Sequence, residues 1–341
     1  MDKTIELLEK FRIYPLTEII EPPTYCYINN KPSLTIGNFS LINGKKKAGK
    51  TFLLGCIMAS TLNNSTQIDS IQGCLPLDKN VVLYFDTEQS QYHAIRSIKR
   101  ICALSGNPNP SNLYAFGLRP LSPEERLQFI GAAIMNTPNV GIVAIDGIRD
   151  LLTKGINDEQ EATKLTSLFL KWSYDLEIHL VLLLHQNKND LNARGHIGSE
   201  LVNKAETIIS VTKQEKNNIF IVTCEDSRDI PFNNFSFTIS KDGLPESCDL
   251  PDIKIRKIKD PNFIHSEKHL SVLSTLFKGV LEYTYGDLKT RLMQEFNIGR
   301  DASERFISYY IDKSWINKEQ RGKSSYHRLN VNATSFFYHP N

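Results

Sequence analysis

The sequence has no apolar run approaching the roughly 18 residues that a membrane-spanning helix requires, so an integral helical membrane protein is not expected. Its six cysteines (Cys26, Cys56, Cys74, Cys102, Cys224, Cys248) include no Cys-x-x-Cys pair. Such scatter argues against a zinc site and reads as reduced core residues in a cytoplasmic protein. There is no internal repeat and no low-complexity tract, so solenoid and disordered-tail architectures are not supported. Charge of one sign is lacking too: 40 Lys+Arg stand against 38 Asp+Glu, a formal net charge of +2. The N-terminus, MDKTIELLEKFRIYPL, carries acids inside its apolar stretch and no small-residue cleavage site, so no targeting or membrane segment is expected there.

What is present is ordinary globular composition, 40% hydrophobic and 23% charged residues, enough apolar material for a real core. A length of 341 residues fits one large domain plus one or two smaller ones. From His265 onward 11 basic residues face 8 acidic ones, net +3, a mild excess that permits contact with a phosphate backbone without requiring it.

Residues 1–32 read as a short helix, Ile5 to Phe11, and an extended arm containing Pro22 and Pro23. Over residues 33–242 apolar strands alternate with amphipathic helices, the pattern of an α/β domain with a mostly parallel sheet covered on both faces. The expected strands are Phe39 to Ile42, Val81 to Phe85, Gly141 to Ile145, Leu180 to Leu184 and Thr207 to Val211. Ile219 to Cys224 and Phe235 to Ile239 are spaced closely enough for an antiparallel pair at the sheet edge. Residues 243–266, with Pro245, Pro251, Pro261 and a basic run at 254–260, read as a linker to a second domain at 267–332.

The chemistry concentrates in SLINGKKKAGKTFLLG, where an apolar strand precedes Gly44 and an apolar helix follows Thr51. Gly44, Gly49, Lys50 and Thr51 stand at the GxxxxGKT spacing of a phosphate-binding loop, filled by Lys45, Lys46, Lys47 and Ala48, with Phe52 opening the helix. The glycines let backbone N–H groups turn toward phosphate oxygens, and the helix N-terminus adds its dipole. Lys50 is expected at the β and γ phosphates of ATP, and the Thr51 hydroxyl at Mg²⁺. The three lysines inside the loop read as a solvated basic turn, with phosphate or nucleic-acid contact as the alternative. A second metal ligand is expected from Asp146, which leaves the apolar strand of NVGIVAIDG. VVLYFDTEQS ends a further strand with Asp86 and Glu88; Glu88 is the candidate base for the attacking water, and Asp86 a supporting residue.

The order GKT, FDTEQ, IVAID, LLLHQN resembles RecA-fold ATPases, and over residues 33–242 it is most similar to plasmid RepA-type, DnaB-like hexameric helicases of mobile elements. That resemblance implies an ATP hydrolase dependent on Mg²⁺, assembled as a homo-oligomer, six-membered in the pattern of that family, with single-stranded DNA in a central channel. It implies a γ-phosphate sensor at Gln186, flanked by His185 and Asn187, and a channel-lining loop in which Lys188, Arg194 and His196 meet phosphate. It also implies that Arg228 reaches the ATP site of a neighbouring subunit; the lysine expected two residues earlier is replaced by Asp226.

From His269 an apolar helix, Leu270 to Phe277, a Thr-Tyr pairing segment, two helices (Asp287 to Phe296, Ser303 to Asp312) and a hairpin after Trp315 look like a winged helix. Arg300, Arg305, Lys313, Arg321, Lys323 and Arg328 fall on its third helix, the entry to that helix, or the wing, where duplex DNA is contacted in that class. The reading is thus a DNA-acting ATPase, a ring-forming helicase or translocase of mobile-element replication or transfer. Its alternative is an ATP-switched DNA-binding regulator or helicase loader without unwinding activity.

Overall fold

The computed structural model describes residues 3–19, 21–185, 195–214, 217–251, 261, 264, 266–296, 298–322 and 324–330. Among them two compact units separate near Cys248.

The first unit is built on a nine-stranded sheet in the order Pro245–Cys248, Phe235–Ile239, Ile219–Ser227, Thr207–Gln214, Phe39–Gly44, His179–His185, Val140–Asp146, Val81–Asp86, Leu113–Gly117. The last six run parallel to their neighbours; the first three join by antiparallel pairing. The mostly parallel α/β architecture expected from the alternation is therefore present. Strands such as VGIVAID and HLVLLLH are apolar at successive positions because both faces are covered, and Val140–Asp146 is buried throughout. On one face the core gathers Leu53, Leu54, Ile57, Tyr84 and Ile142 around the helix Lys50–Leu62. On the other, Phe85, Ile145, Phe169 and Leu182 pack with the helices Pro123–Asn136 and Glu159–Asp175. Parallel pairing brings every C-terminal strand end to the same edge, with Asp86 opposite Asp146 and Gly44 opposite His185.

Two expectations need correction. The stretch before residue 33 is not only a helix and an arm: after the helix Lys3–Phe11, Thr24–Ile28 pairs with Lys31–Thr35 and with Ile71–Gly73, and Thr66–Gln67 completes a four-stranded antiparallel sheet. The signal was present in Asn29 and Asn30, which form the two-residue connection with φ of 46° and 61°, a conformation asparagine tolerates in tight hairpins. The stretch from residue 243 does not begin as a linker either, since Pro245–Cys248 adds an edge strand to the large sheet. Proline is accommodated there because an edge strand need not donate from every N–H. The strand Leu113–Gly117 at the opposite edge was not anticipated, its half-exposed residues giving a weak apolar run. Among the cysteines, Cys26, Cys56 and Cys102 are buried as expected, but Cys74 is exposed. No described helix is long and apolar enough to cross a membrane.

The second unit places the helices Ser266–Leu276, Tyr285–Glu295 and Arg300–Asp312 with a sheet in the order Tyr283–Thr284, Ser324–Leu329, Ile316–Arg321. Leu273, Leu288, Leu292, Phe306 and Ile307 form its core. His269 is buried among aromatic rings; its ring nitrogens face the Tyr310 hydroxyl at 2.8 Å and the Pro261 carbonyl at 2.9 Å.

Within the first unit, the four-stranded sheet lies against the helix Lys50–Leu62 at a contact that only glycine permits. A Cβ on Gly73 would sit 2.1 Å from the Ser60 carbonyl oxygen, whereas one on Gly117 would meet nothing. Gly73→Ala is expected to destabilise the protein by about 3 kcal/mol, as overpacking against backbone does. Gly117→Ala should leave the thermal midpoint within a degree or two, and circular dichroism melts of the two variants check the contrast.

Candidate functional site

The loop between Phe39–Gly44 and Lys50–Leu62 is held in shape by two close approaches. A Cβ on Gly44 would lie 2.6 Å from the Val211 carbonyl, and one on Gly49 would lie 2.4 Å from the Phe220 ring, with φ at +96° as well. Lys45, Lys46 and Lys47 are exposed at the tip, Lys47 with φ of 63°, while Ala48 is buried and its N–H donates to the Lys45 carbonyl. The Arg100 guanidinium lies 4.1 Å from the Phe52 ring centre, and Phe220 packs beside that ring.

Lys50 is buried, and its ammonium donates to the carbonyls of Gly44 at 2.8 Å and Lys45 at 3.1 Å. Its third donor meets His185 Nδ1 at 3.0 Å. Burial lowers the lysine pKa to about 8, with the charges of Asp146 and Glu88 opposing that shift. Because Lys50 donates to Nδ1, His185 carries its proton on Nε2, which lies 3.3 Å from Glu88 Oε2. The hydrogen bond to His185 is the main reason the Glu88 pKa is lowered. Lys50, His185 and Glu88 therefore form one polar chain across the ends of three strands.

Beside it the Thr51 hydroxyl donates to Asp146 Oδ2 at 2.9 Å, and the Tyr84 hydroxyl reaches the same oxygen at 3.3 Å. Burial raises the Asp146 pKa to about 6, and the nearby charge of Asp86 adds to the shift. Asp86 is buried and its Oδ1 accepts from the N–H groups of Glu88 at 3.1 Å and Gln89 at 2.8 Å, so it fixes the turn that carries Glu88. Thr87 supports the same turn by donating to the Gly147 carbonyl at 2.7 Å. A hydroxyl and a carboxylate at one point, with further acids nearby, form a hard oxygen donor set that would suit Mg²⁺. The raised pKa of Asp146 fits that assignment, because a divalent cation would relieve the charge that burial disfavours.

The strand ends thus bring together Lys50, Thr51, Glu88, Asp146 and His185. Gln186, Lys188 and Arg194 lie outside the described residues, as does Lys323; His196 is exposed in the helix Gly195–Lys204. Arg228 is exposed and donates to the Lys204 carbonyl at 3.1 Å, while Asp226 caps the Ser227 N–H. In the second unit Arg321 forms paired hydrogen bonds with Glu282 at 2.8 and 3.0 Å and also bonds Glu319, and Arg328 shares Glu282. Arg300 lies 3.8 Å from Glu304, and Arg305 is exposed. Tyr84 was missed by sequence reasoning, and His185 was considered only as a lesser candidate beside Gln186 for sensing the γ-phosphate. The strand-end position of His185 was the available signal; its register with Gly44 emerges only from the strand order.

Residues 21–190 match a family described as an AAA domain. No curated protein matches the chain. Among solved structures, one described as an ATPase domain shares 17% identity, covering 62% of this chain and 85% of its own, at a TM-score of 0.42. The RadB recombinase shares 18%, covering 63% and 93%, at a TM-score of 0.45.

An aspartate whose folded pKa stands near 6 against 3.8 in a free side chain binds more protons folded than unfolded. Its contribution to stability is therefore favourable at low pH and is lost as pH rises from about 4 to about 6. Removing the charge with Asp146→Asn should stabilise the nucleotide-free protein at pH 7 by on the order of 2–3 kcal/mol. It should also abolish any gain in melting temperature that Mg²⁺ with ATP would give the wild type. Differential scanning calorimetry with and without Mg²⁺–ATP measures both effects.

Proposed function

We propose that the protein, whose residues 21–190 match a family described as an AAA domain, is a Mg²⁺-dependent ATP hydrolase that acts on DNA as a ring-forming, RepA- or DnaB-like helicase or translocase in mobile-element replication or transfer. The observation that carries the hydrolytic part is the chain Lys50–His185–Glu88 facing the Thr51–Asp146 pair. The loop N–H groups and Lys50 would grip the β and γ phosphates, and Lys50 would exchange its carbonyl partners for phosphate oxygens. Thr51 and Asp146 would hold Mg²⁺, which neutralises charge on the phosphates when bound. Glu88, half-exposed at the lip, would take a proton from water as the water oxygen bonds to the γ-phosphorus. The bond from that phosphorus to the bridging oxygen breaks, leaving ADP and phosphate.

In this scheme His185 is a positioning residue. It orients Glu88 through Nε2 and loses the Lys50 contact at Nδ1 when phosphate arrives, so it serves beside the Gln186 position as a reporter of the γ-phosphate. The DNA part rests on the resemblance of the motif order and on a second unit whose helices and three-stranded sheet suit a winged helix. Arg300 and Arg305 would contact phosphate from its third helix. Arg228 would reach the ATP site of a neighbouring copy in a six-membered ring.

A second reading, an ATP-switched DNA-binding regulator or helicase loader, is favoured by two observations. Asp226 stands where a second cation would serve the neighbouring site, and the wing arginines Arg321 and Arg328 are neutralised by Glu282 and Glu319.

ATP turnover measured with and without single-stranded DNA, alongside native mass, separates the readings. The motor predicts DNA-stimulated hydrolysis, reduced at least 100-fold in Lys50→Ala, and a six-subunit mass with nucleotide; a monomer whose turnover ignores DNA defeats it. Slow turnover with ATP-dependent partner binding supports the regulator.

The role of His185 has its own signature. Because His185 holds the Glu88 pKa down, His185→Ala should move the acid limb of the kcat profile to higher pH and lower kcat about 10- to 100-fold, in the range of general-base effects. Nucleotide affinity should change only a few-fold.

A further inference from the structure

Residues 4–19 are exposed throughout, although much of this stretch is apolar. The helix Lys3–Phe11 carries Ile5, Leu7, Leu8 and Phe11 at the spacing of one helical side, and these four are 47–65% exposed. The arm after it adds Ile13, Leu16 and Ile19, each at least 90% exposed. A helix of nine residues is shorter than the roughly 12–15 residues at which isolated helices become even marginally stable in water. Its apolar side therefore calls for a surface to pack on.

The same chain has an unfilled surface of matching character. Between the helix Gln91–Leu104 and the edge strand Leu113–Gly117 lies a groove of about 560 Å³ walled by Ile95, Ile98, Ala115 and Phe116. Asp86, the one acid in its lining, is 1% exposed and offers an incoming chain no charge. From Gln89 to Pro123 the sequence holds Arg96, Lys99, Arg100 and Arg119 and no acid, whereas residues 1–23 hold five acids against three bases. Arg96, Lys99 and Arg119 are exposed and make no ion pair among the described residues. On the helix, Glu6 and Glu9 run along one flank of the apolar side; Glu9 meets only the exposed Arg12 and the Tyr14 hydroxyl, contacts weak enough to exchange. An apolar helix with an acidic flank and an apolar groove with a basic rim are complementary.

We propose that the helix Lys3–Phe11 of one copy docks in the groove between Gln91–Leu104 and Leu113–Gly117 of a second copy, with its acids toward Lys99 and Arg119. Donor and acceptor are different surfaces of one chain, so the contact is heterologous and each added copy still presents a free helix or a free groove. It holds without nucleotide and depends on neither the DNA reading nor a six-membered ring. It bears on hydrolysis because the docked helix packs against Gln91–Leu104, which begins directly after the Asp86-fixed turn that carries Glu88.

Sedimentation velocity of the full chain, with native mass, tests the contact. The wild type should assemble beyond one chain. A helix variant, Leu8→Glu with Phe11→Glu, and a groove variant, Lys99→Glu with Arg119→Glu, should each fall to one chain. All four side chains are exposed, so the thermal midpoints should stay within a degree or two of the wild type. Mixing the two variants leaves one intact contact, the helix of the groove variant in the groove of the helix variant, and should give a two-chain species and nothing larger. A wild type that stays at one chain at all concentrations overturns the proposal, and so does a mixture that does. An assembly that survives both variants also overturns it, leaving the groove to some other occupant. Lys50→Ala should assemble like the wild type while losing ATP turnover, so failure of the contact and failure of the hydrolytic reading are seen separately.

Discussion

Keeping opposite charges ready inside the dry edge of a hydrophobic sheet is the constraint on which the molecule turns. Lys50 and Asp146 are both buried, and burial pushes each toward its neutral form, the lysine down to about 8 and the aspartate up to about 6. They stay useful because each is given specific partners, carbonyls and a histidine for the lysine and two hydroxyls for the aspartate. A triphosphate and a divalent cation would supply the charges that the empty arrangement only approximates. The site would thus be less stable by itself than with such ligands, the usual cost of an electrostatically prepared centre.

Topology makes that arrangement possible. Six parallel strands end on one edge, so residues separated by more than a hundred positions, such as Lys50 and His185, come within hydrogen-bond distance. Their interiors are almost wholly apolar, which fixes register and leaves the polar residues only at the ends. The helix Lys50–Leu62 is buried over nearly its whole length, so it cannot shift to accommodate a changed loop. The close approaches of Gly44 to Val211 and Gly49 to Phe220 tie the loop to the antiparallel half of the sheet, which carries no catalytic candidate of its own except Arg228.

What was legible in the sequence was what is local. The spacing of Gly44, Gly49, Lys50 and Thr51, and the acids that close apolar strands at Asp86 and Asp146, need only a few residues to be read. The pairing of His185 with both Lys50 and Glu88 depends on strand order, which a single sequence does not display. Tyr84 gave no signal within its apolar strand, because only the neighbouring strand reveals that its hydroxyl meets Asp146. Pro22 and Pro23 obscured the hairpin around Asn29 and Asn30, and Pro245 obscured an edge strand. In both cases proline was read as an end to structure when it stood beside or at the start of a strand, positions where its missing N–H matters little.

Charge counting was less informative than charge placement. The segment from His265 carries net +3, yet Arg321 and Arg328 are shared between Glu282 and Glu319, and Glu304 lies against both Lys289 and Arg300. A phosphate approaching Arg321 or Arg328 would have to compete with carboxylates for guanidinium groups already oriented by paired hydrogen bonds, whereas at Arg305 it would meet an exposed side chain with no ion pair among the described residues. Exposed ion pairs are weak and screened by salt, so such competition would temper the approach of an anion without forbidding it. Among the described residues the available cationic charge of this unit therefore lies on the helix Arg300–Asp312 more than on the hairpin, and the even spread of basic residues in the sequence conceals that asymmetry.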